Sequence, residues 1–276
     1  MSIRLSRRRE AAFALLAAGL AAVLTLPGSA SAGTASGGGP STLVVGGEST
    51  TTAAYPFVMQ LADSASSVQV QRCGGALVAP TKVVTAAHCV GGSSPDGFLV
   101  IGGREERVGP GGTHRAVTDI WTHPDWDGGP QVHDIAVLTL AEEMPFPTVP
   151  FAGPNDTHLY VPGTPARILG WGLTREDGPV SDHLRTAEVP MVADADCEVS
   201  YASHTRQVQT PGMVCAGLPE GGVDACSLDS GGPLVVDGVL VGVISWGLGC
   251  ARPGFPGVYT RVLTYSAEVS AQVASS

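Results

Sequence analysis

The sequence predicts an all-β protein whose strands fall into two sets, and three observations carry that prediction. Of the 276 residues 43% are hydrophobic and 14% charged, enough apolar material for a substantial core, and 37 Gly with 21 Pro point to many turns. From Val44 onward, short apolar runs alternate with Gly, Pro, Asp and Asn clusters, the pattern of short strands in a barrel or sandwich. A Pro-rich stretch (Pro145, Pro147, Pro150, Pro154, Pro162, Pro165) separates one set of runs from the other, which suggests two barrels.

Taken in order, residues 1–32 read as a secretory signal peptide rather than fold. Arg4, Arg7, Arg8 and Arg9 precede an apolar run over residues 11–26, and Ala30-Ser31-Ala32 offers small residues for cleavage. The run is shorter than the roughly 20 residues that span a bilayer, so no membrane association is expected once the segment is removed. Residues 33–43 are Gly/Ser/Thr/Ala-rich and read as a propeptide leader. The first set of strands is expected at residues 58–61, 76–78, 82–86, 98–101 and 135–140. The second is expected at residues 166–171, 187–192, 213–216, 233–236, 239–246 and 257–261, with a helix only over residues 265–273.

Removing residues 1–43, which carry four Arg and one Glu, takes the formal charge from −10 to −13. An acidic chain whose one lysine is Lys82 has no electrostatic footprint for nucleic acid. The six cysteines (Cys73, Cys89, Cys197, Cys215, Cys226, Cys250) show no Cys-x-x-Cys spacing, and no His pair shows zinc-site spacing. Disulfides in an oxidising compartment are the better reading, with 15 pairings open to sequence alone. Neither a metal nor another cofactor is implied. Glu105 and Glu106 are available as carboxylate ligands, but Arg104 and Arg107 beside them discourage a calcium site.

Three segments carry chemistry together. Thr85-Ala86-Ala87-His88-Cys89 sets a histidine at the end of an apolar strand; Asp134 opens another; Asp229-Ser230-Gly231-Gly232-Pro233-Leu234 holds a serine in a Gly-rich turn. Singly each has an ordinary explanation: a surface histidine, a turn aspartate, a turn serine. A serine hydroxyl is a poor nucleophile at neutral pH and needs a base within hydrogen-bond reach, and the base in turn needs an orienting group. With Val44-Val45-Gly46-Gly47, Gly170-Trp171-Gly172, Ser245-Trp246-Gly247 and Pro256-Gly257-Val258-Tyr259, these segments resemble in chain order and wording the chymotrypsin/trypsin family of serine proteases, and within it secreted bacterial trypsins of the streptomycete kind.

That resemblance implies two six-stranded antiparallel Greek-key β-barrels, over about 44–150 and 151–276, an active site in the cleft between them, and a short C-terminal helix. It implies Ser230 as nucleophile, His88 as base and Asp134 as the group orienting the base. His133 is expected to face the wrong way on its strand to share that role. The implied bridges are Cys73–Cys89, Cys197–Cys215 and Cys226–Cys250. Asp224, six residues before the nucleophile, maps to the floor of the specificity pocket; Ser245, Trp246, Gly247 and Gly257 map to its walls. Ala225 stands where trypsins often carry Ser, which favours a guanidinium over an ammonium. The new amine of Val44, freed by a cut after Leu43, would pair with Asp229, and a basic-specific enzyme is ill suited to make that cut itself.

One departure stands out. The family carries Gly two residues before the nucleophile, where the backbone N–H joins that of Ser230 in the oxyanion hole; this chain carries Leu228. The expected protein is therefore a secreted, monomeric endopeptidase acting on protein or peptide substrates at Arg and Lys, open to protein protease inhibitors. The alternative is a protease-fold binding protein weakened or silenced at Leu228. A small-ester hydrolase lacks its Gly-x-Ser-x-Gly elbow here.

Overall fold

The computed structural model describes residues 44–66, 68–129 and 132–275; the signal segment (1–32) and leader (33–43) expected from the sequence lie outside the described residues. The strands are β1 (Glu48–Ser49), β2 (Val58–Asp63), β3 (Gln71–Ala79), β4 (Lys82–Thr85), β5 (Phe98–Gly102), β6 (Thr113–Thr122) and β7 (Ala136–Leu140) in the first half. The second half has β8 (Pro165–Gly170), β9 (Arg185–Pro190), β10 (Met213–Ala216), β11 (Pro233–Val236), β12 (Val239–Trp246) and β13 (Gly257–Arg261). Helices α1 (Ala87–Val90), α2 (Asp194–Tyr201) and α3 (Ser266–Ala274) follow β4, β9 and β13.

Strands β2-β3-β4-β7-β6-β5 form a closed barrel, shut by the pairing of β5 with β2. The second sheet runs β1-β9-β8-β11-β12-β13-β10. β9 also meets β10 through the Met191–Ala216 bridge, where Val192 N–H donates to the Cys215 carbonyl at 2.9 Å and Gly217 N–H to that of Pro190 at 3.0 Å. Numbered from its own first strand, each half has the circular order 1-2-3-6-5-4, and every pairing is antiparallel.

The apolar runs anticipated in the sequence are the barrel walls. β10, β11, β12 and β13 occupy the expected residues, and β12 is buried from Leu240 to Ser245. β6 was not anticipated, because only Val117 of its ten residues is buried and its face toward solvent is polar. Helix α2 was not anticipated either: its buried side chains are Cys197 and Tyr201, four residues apart on one face, too few to write a pattern.

Leu77, Val100 and Leu138 lie in the core of the first barrel, and Ile168, Val214 and Val241 in that of the second. A third cluster joins them, with Ala76, Val84, Ile135 and Val137 from the first half packed with Leu240, Val243, Val262, Tyr265 and Val269 from the second. The chain ends cross over. β1 pairs with β9 and Val44 is buried in the second core, while Ser275, just past α3, takes a hydrogen bond from Lys82 of β4 at 3.2 Å.

Candidate active site

Asp134 is fully buried just before β7, and a buried carboxylate is tolerated when its lone pairs are filled. Oδ1 accepts the backbone N–H of His88 at 2.8 Å, and Oδ2 accepts the His88 Nδ1–H at 2.7 Å and the Ser245 hydroxyl at 2.5 Å. Its own carbonyl accepts the Thr260 hydroxyl at 2.7 Å. Ser245 and Thr260 come from β12 and β13, so an aspartate of the first barrel is gripped by the second. The donation from Nδ1 fixes the tautomer and leaves Nε2 as the proton acceptor. His88 sits in α1 rather than at the end of a strand, with Cys89 bridged to Cys73 of β3.

His133 does turn away from this group, though not through strand alternation. It precedes the strand with φ +64, its ring stacks on His123 at 4.5 Å, and its N–H donates to the Tyr265 hydroxyl at 3.2 Å.

The turn holding Ser230 docks on the first barrel by backbone contact. Gly74 N–H of β3 donates to the Ser230 carbonyl at 2.8 Å, and a Cβ on Gly231 would lie 2.2 Å from Thr85 Oγ1. Gly231 also has φ +78, so both counts favour glycine after Ser230. His88 and Ser230 line one cavity of about 400 Å³, with Asp224 and Ala225 in its wall. The N–H groups of Leu228 and Ser230 donate to no acceptor among the described residues, so both are available to a ligand oxygen. Leu228 itself has φ +78, a left-handed conformation that glycine adopts freely, and its carbonyl accepts Gln71 Nε2–H at 2.8 Å.

Asp224 is 4% exposed and accepts Ala225 N–H at 2.8 Å on Oδ1 and Ala251 N–H at 3.0 Å on Oδ2. Burial, partly offset by these N–H groups, pushes its pKa up to about 7. A Cβ on Gly257 would lie 2.6 Å from its Oδ1, whereas Gly247 is open at the rim. Ser245 and Trp246 line the same cavity, but Ser245 also holds Asp134, a contact the sequence did not suggest. Nor did the sequence suggest a site role for Tyr259, whose buried hydroxyl has no partner among the described residues, or for Arg206 and Glu176, which line the same cavity.

Asp229 is buried and accepts N–H groups from Gly172 at 2.7 Å and Cys226 at 3.0 Å; burial raises its pKa to about 6. Glycines at 170 and 172 make room for this carboxylate. Val44 lies in the second core, and the Val45 carbonyl accepts Asp224 N–H at 3.2 Å, so the Val44-Val45 segment abuts Asp224. Bridges Cys226–Cys250 and Cys197–Cys215 brace the Ser230 turn and α2, and each disulfide loop contributes about 3 kcal/mol. Glu105 accepts the N–H and hydroxyl of Thr52 at 2.8 and 2.7 Å, and the adjacent Arg104 guanidinium donates to the Gly109 and Gln69 carbonyls.

The family model described as Trypsin matches residues 44–269. A trypsin of Saccharopolyspora erythraea is 49% identical over 195 residues, covering 71% of this chain and 84% of the relative. Trypsin eta of Drosophila erecta is 38% identical over 228 residues (81% and 87%), and a vitellin-degrading protease of Bombyx mori is 42% identical over 192 residues (69% and 72%).

Proposed function

The chain belongs to the trypsin family of serine endopeptidases, and we propose that it cleaves proteins and peptides after Arg, and after Lys less readily, in the extracellular space. The observation that carries this reading is Asp224: a carboxylate almost wholly buried at the cavity wall, held by two backbone N–H groups and by no cation among the described residues. An uncompensated buried charge is costly, and a substrate guanidinium supplies the missing partner. Ala225 offers no hydroxyl to an ammonium, so Arg is preferred.

In the proposed reaction Ser230 Oγ attacks the scissile carbonyl while its proton passes to His88 Nε2. The carbonyl oxygen takes up the negative charge against the N–H groups of Leu228 and Ser230. Asp134 stabilises the imidazolium through the 2.7 Å contact to Nδ1. The proton then moves to the leaving amine, the C–N bond breaks, and an acyl-Ser230 ester remains. Water, deprotonated by His88, attacks that ester, releasing the acid and restoring the serine. Activation is assigned to a cut after Leu43 by another protease, with the Val44 amine pairing with Asp229. The apolar run over residues 11–26 supports export, and no helix among the described residues is long and apolar enough to cross a membrane.

The binding-protein alternative gains no support from the comparisons. The test is hydrolysis of matched Arg, Lys and Phe peptide anilides by the activated enzyme and its Ser230→Ala form. Arg above Lys, Phe untouched and a loss of at least about 10³-fold in Ser230→Ala are expected. Equal turnover of Phe would overturn the role of Asp224, and undiminished turnover in Ser230→Ala that of the nucleophile.

A further inference from the structure

We infer that Arg206 is a specificity-determining residue that selects an acidic substrate side chain near the basic one, which deepens the endopeptidase reading above and rests on it. Arg206 lies between α2 and β10, is exposed, and lines the cavity that holds Ser230 and Asp224. Its guanidinium carbon stands 5.1 Å from the centroid of the Trp246 ring. No carboxylate lies within ion-pair distance of it among the described residues. The indole beneath is fixed: Tyr201 packs edge-on at 4.9 Å, and the Tyr201 hydroxyl donates to the Pro256 carbonyl at 2.7 Å. The Trp246 Nε1–H is itself buried and without an acceptor among the described residues.

The cavity lining therefore carries both signs of charge. Asp224, Glu176 and Asp177 are its acids, with Glu176 held by Arg252 at 2.5–2.8 Å. Arg206 is the one arginine lining it, and it has no anionic partner. A substrate carboxylate placed by Arg206 would meet an aligned donor fork over an aromatic face, while a basic side chain there would meet repulsion. An extended chain advances about 3.3 Å per residue, so the acid is expected within a few residues of the basic one, where the substrate passes the lining that Arg206 shares.

The test uses internally quenched peptides with one Arg, in which Ala, Glu or Lys is placed in turn at three positions before and two after it. The enzyme is compared with Arg206→Ala and Arg206→Glu, with thermal unfolding as the folding control. Glu at one or two adjacent positions should raise kcat/KM about fivefold over Lys, less in high salt. The preference should vanish in Arg206→Ala and invert in Arg206→Glu. Cleavage after Arg with the same Glu/Lys ratio in all three proteins would overturn the inference and leave the endopeptidase reading standing. No cleavage of any peptide by the parent enzyme would overturn that reading and the inference together.

Discussion

Cutting after Leu43 should stabilise the molecule by an amount the surroundings of Asp229 set. In the uncut chain Val44 carries an amide, and the buried Asp229 carboxylate is met by the N–H groups of Gly172 and Cys226 alone. Its pKa near 6, against an ordinary 3.8, means that keeping it ionised in the folded state costs about 3 kcal/mol at pH 7. The direction follows from the raised folded value. The folded chain binds the proton more tightly than the unfolded one, so stability is greatest below pH 4, falls as pH climbs through 6, and is level above. A free Val44 ammonium offsets that loss. The gap between cut and uncut forms should therefore open between pH 4 and 6 and reach about 3 kcal/mol at neutral pH, or about 6–12 °C in Tm. The assay is calorimetry of Ser230→Ala proteins beginning at Val44 or retaining Leu43, at pH 4, 5, 6 and 7.5, each with and without Asp229→Asn. Equal Tm at every pH, or a gap that survives Asp229→Asn, would refute the pairing.

Two further outcomes are expected. Leu228→Gly relieves about 1 kcal/mol of left-handed strain and adds a similar chain entropy, so Tm should move by no more than about 3 °C. Turnover and sensitivity to protein inhibitors should both rise in that variant, and unchanged values of both would show that the leucine does not hinder the cleft. Because the empty-cavity pKa of Asp224 is about 7, KM for Arg substrates should fall as pH rises from 5 to 8, up to tenfold per pH unit below 7. A KM in Asp224→Asn with the same pH dependence would assign the effect elsewhere.

Most of the strands and the residues of the site were legible because each wrote a local signal: an apolar run bounded by turn residues, or a short word around Ser230, His88 and Asp134. What escaped lacked one. β6 is half solvent-facing, so polar residues break its run, and α2 is anchored by two side chains. The dual position of Ser245, in the cavity wall and on Asp134, depends on how β12 crosses to the first barrel, which periodicity along one strand does not encode. Arg206 on Trp246 likewise joins residues forty apart whose meeting depends on the path of the α2–β10 loop. Leu228 is the opposite case: its departure from Gly was visible in the sequence, and the positive φ supplies the physical reason it matters.

The site is best understood as a property of the contact between barrels. Asp134 belongs to the first barrel, yet one of its two carboxylate oxygens and its carbonyl are held by Ser245 and Thr260 of the second. Ser230 belongs to the second, yet its carbonyl is held by Gly74 of the first. Between these two reciprocal grips lies a packed apolar seam that includes Ile135, the neighbour of Asp134, and Ile135 N–H donates to the carbonyl of His133. Each half alone would carry an incomplete constellation with a buried carboxylate or an exposed seam, both unfavourable. The geometry around Asp134 and the packing of the two barrels are thus coupled, and a seam substitution such as Val243→Ala, which leaves a buried cavity in that seam, is expected to reach His88 through Asp134.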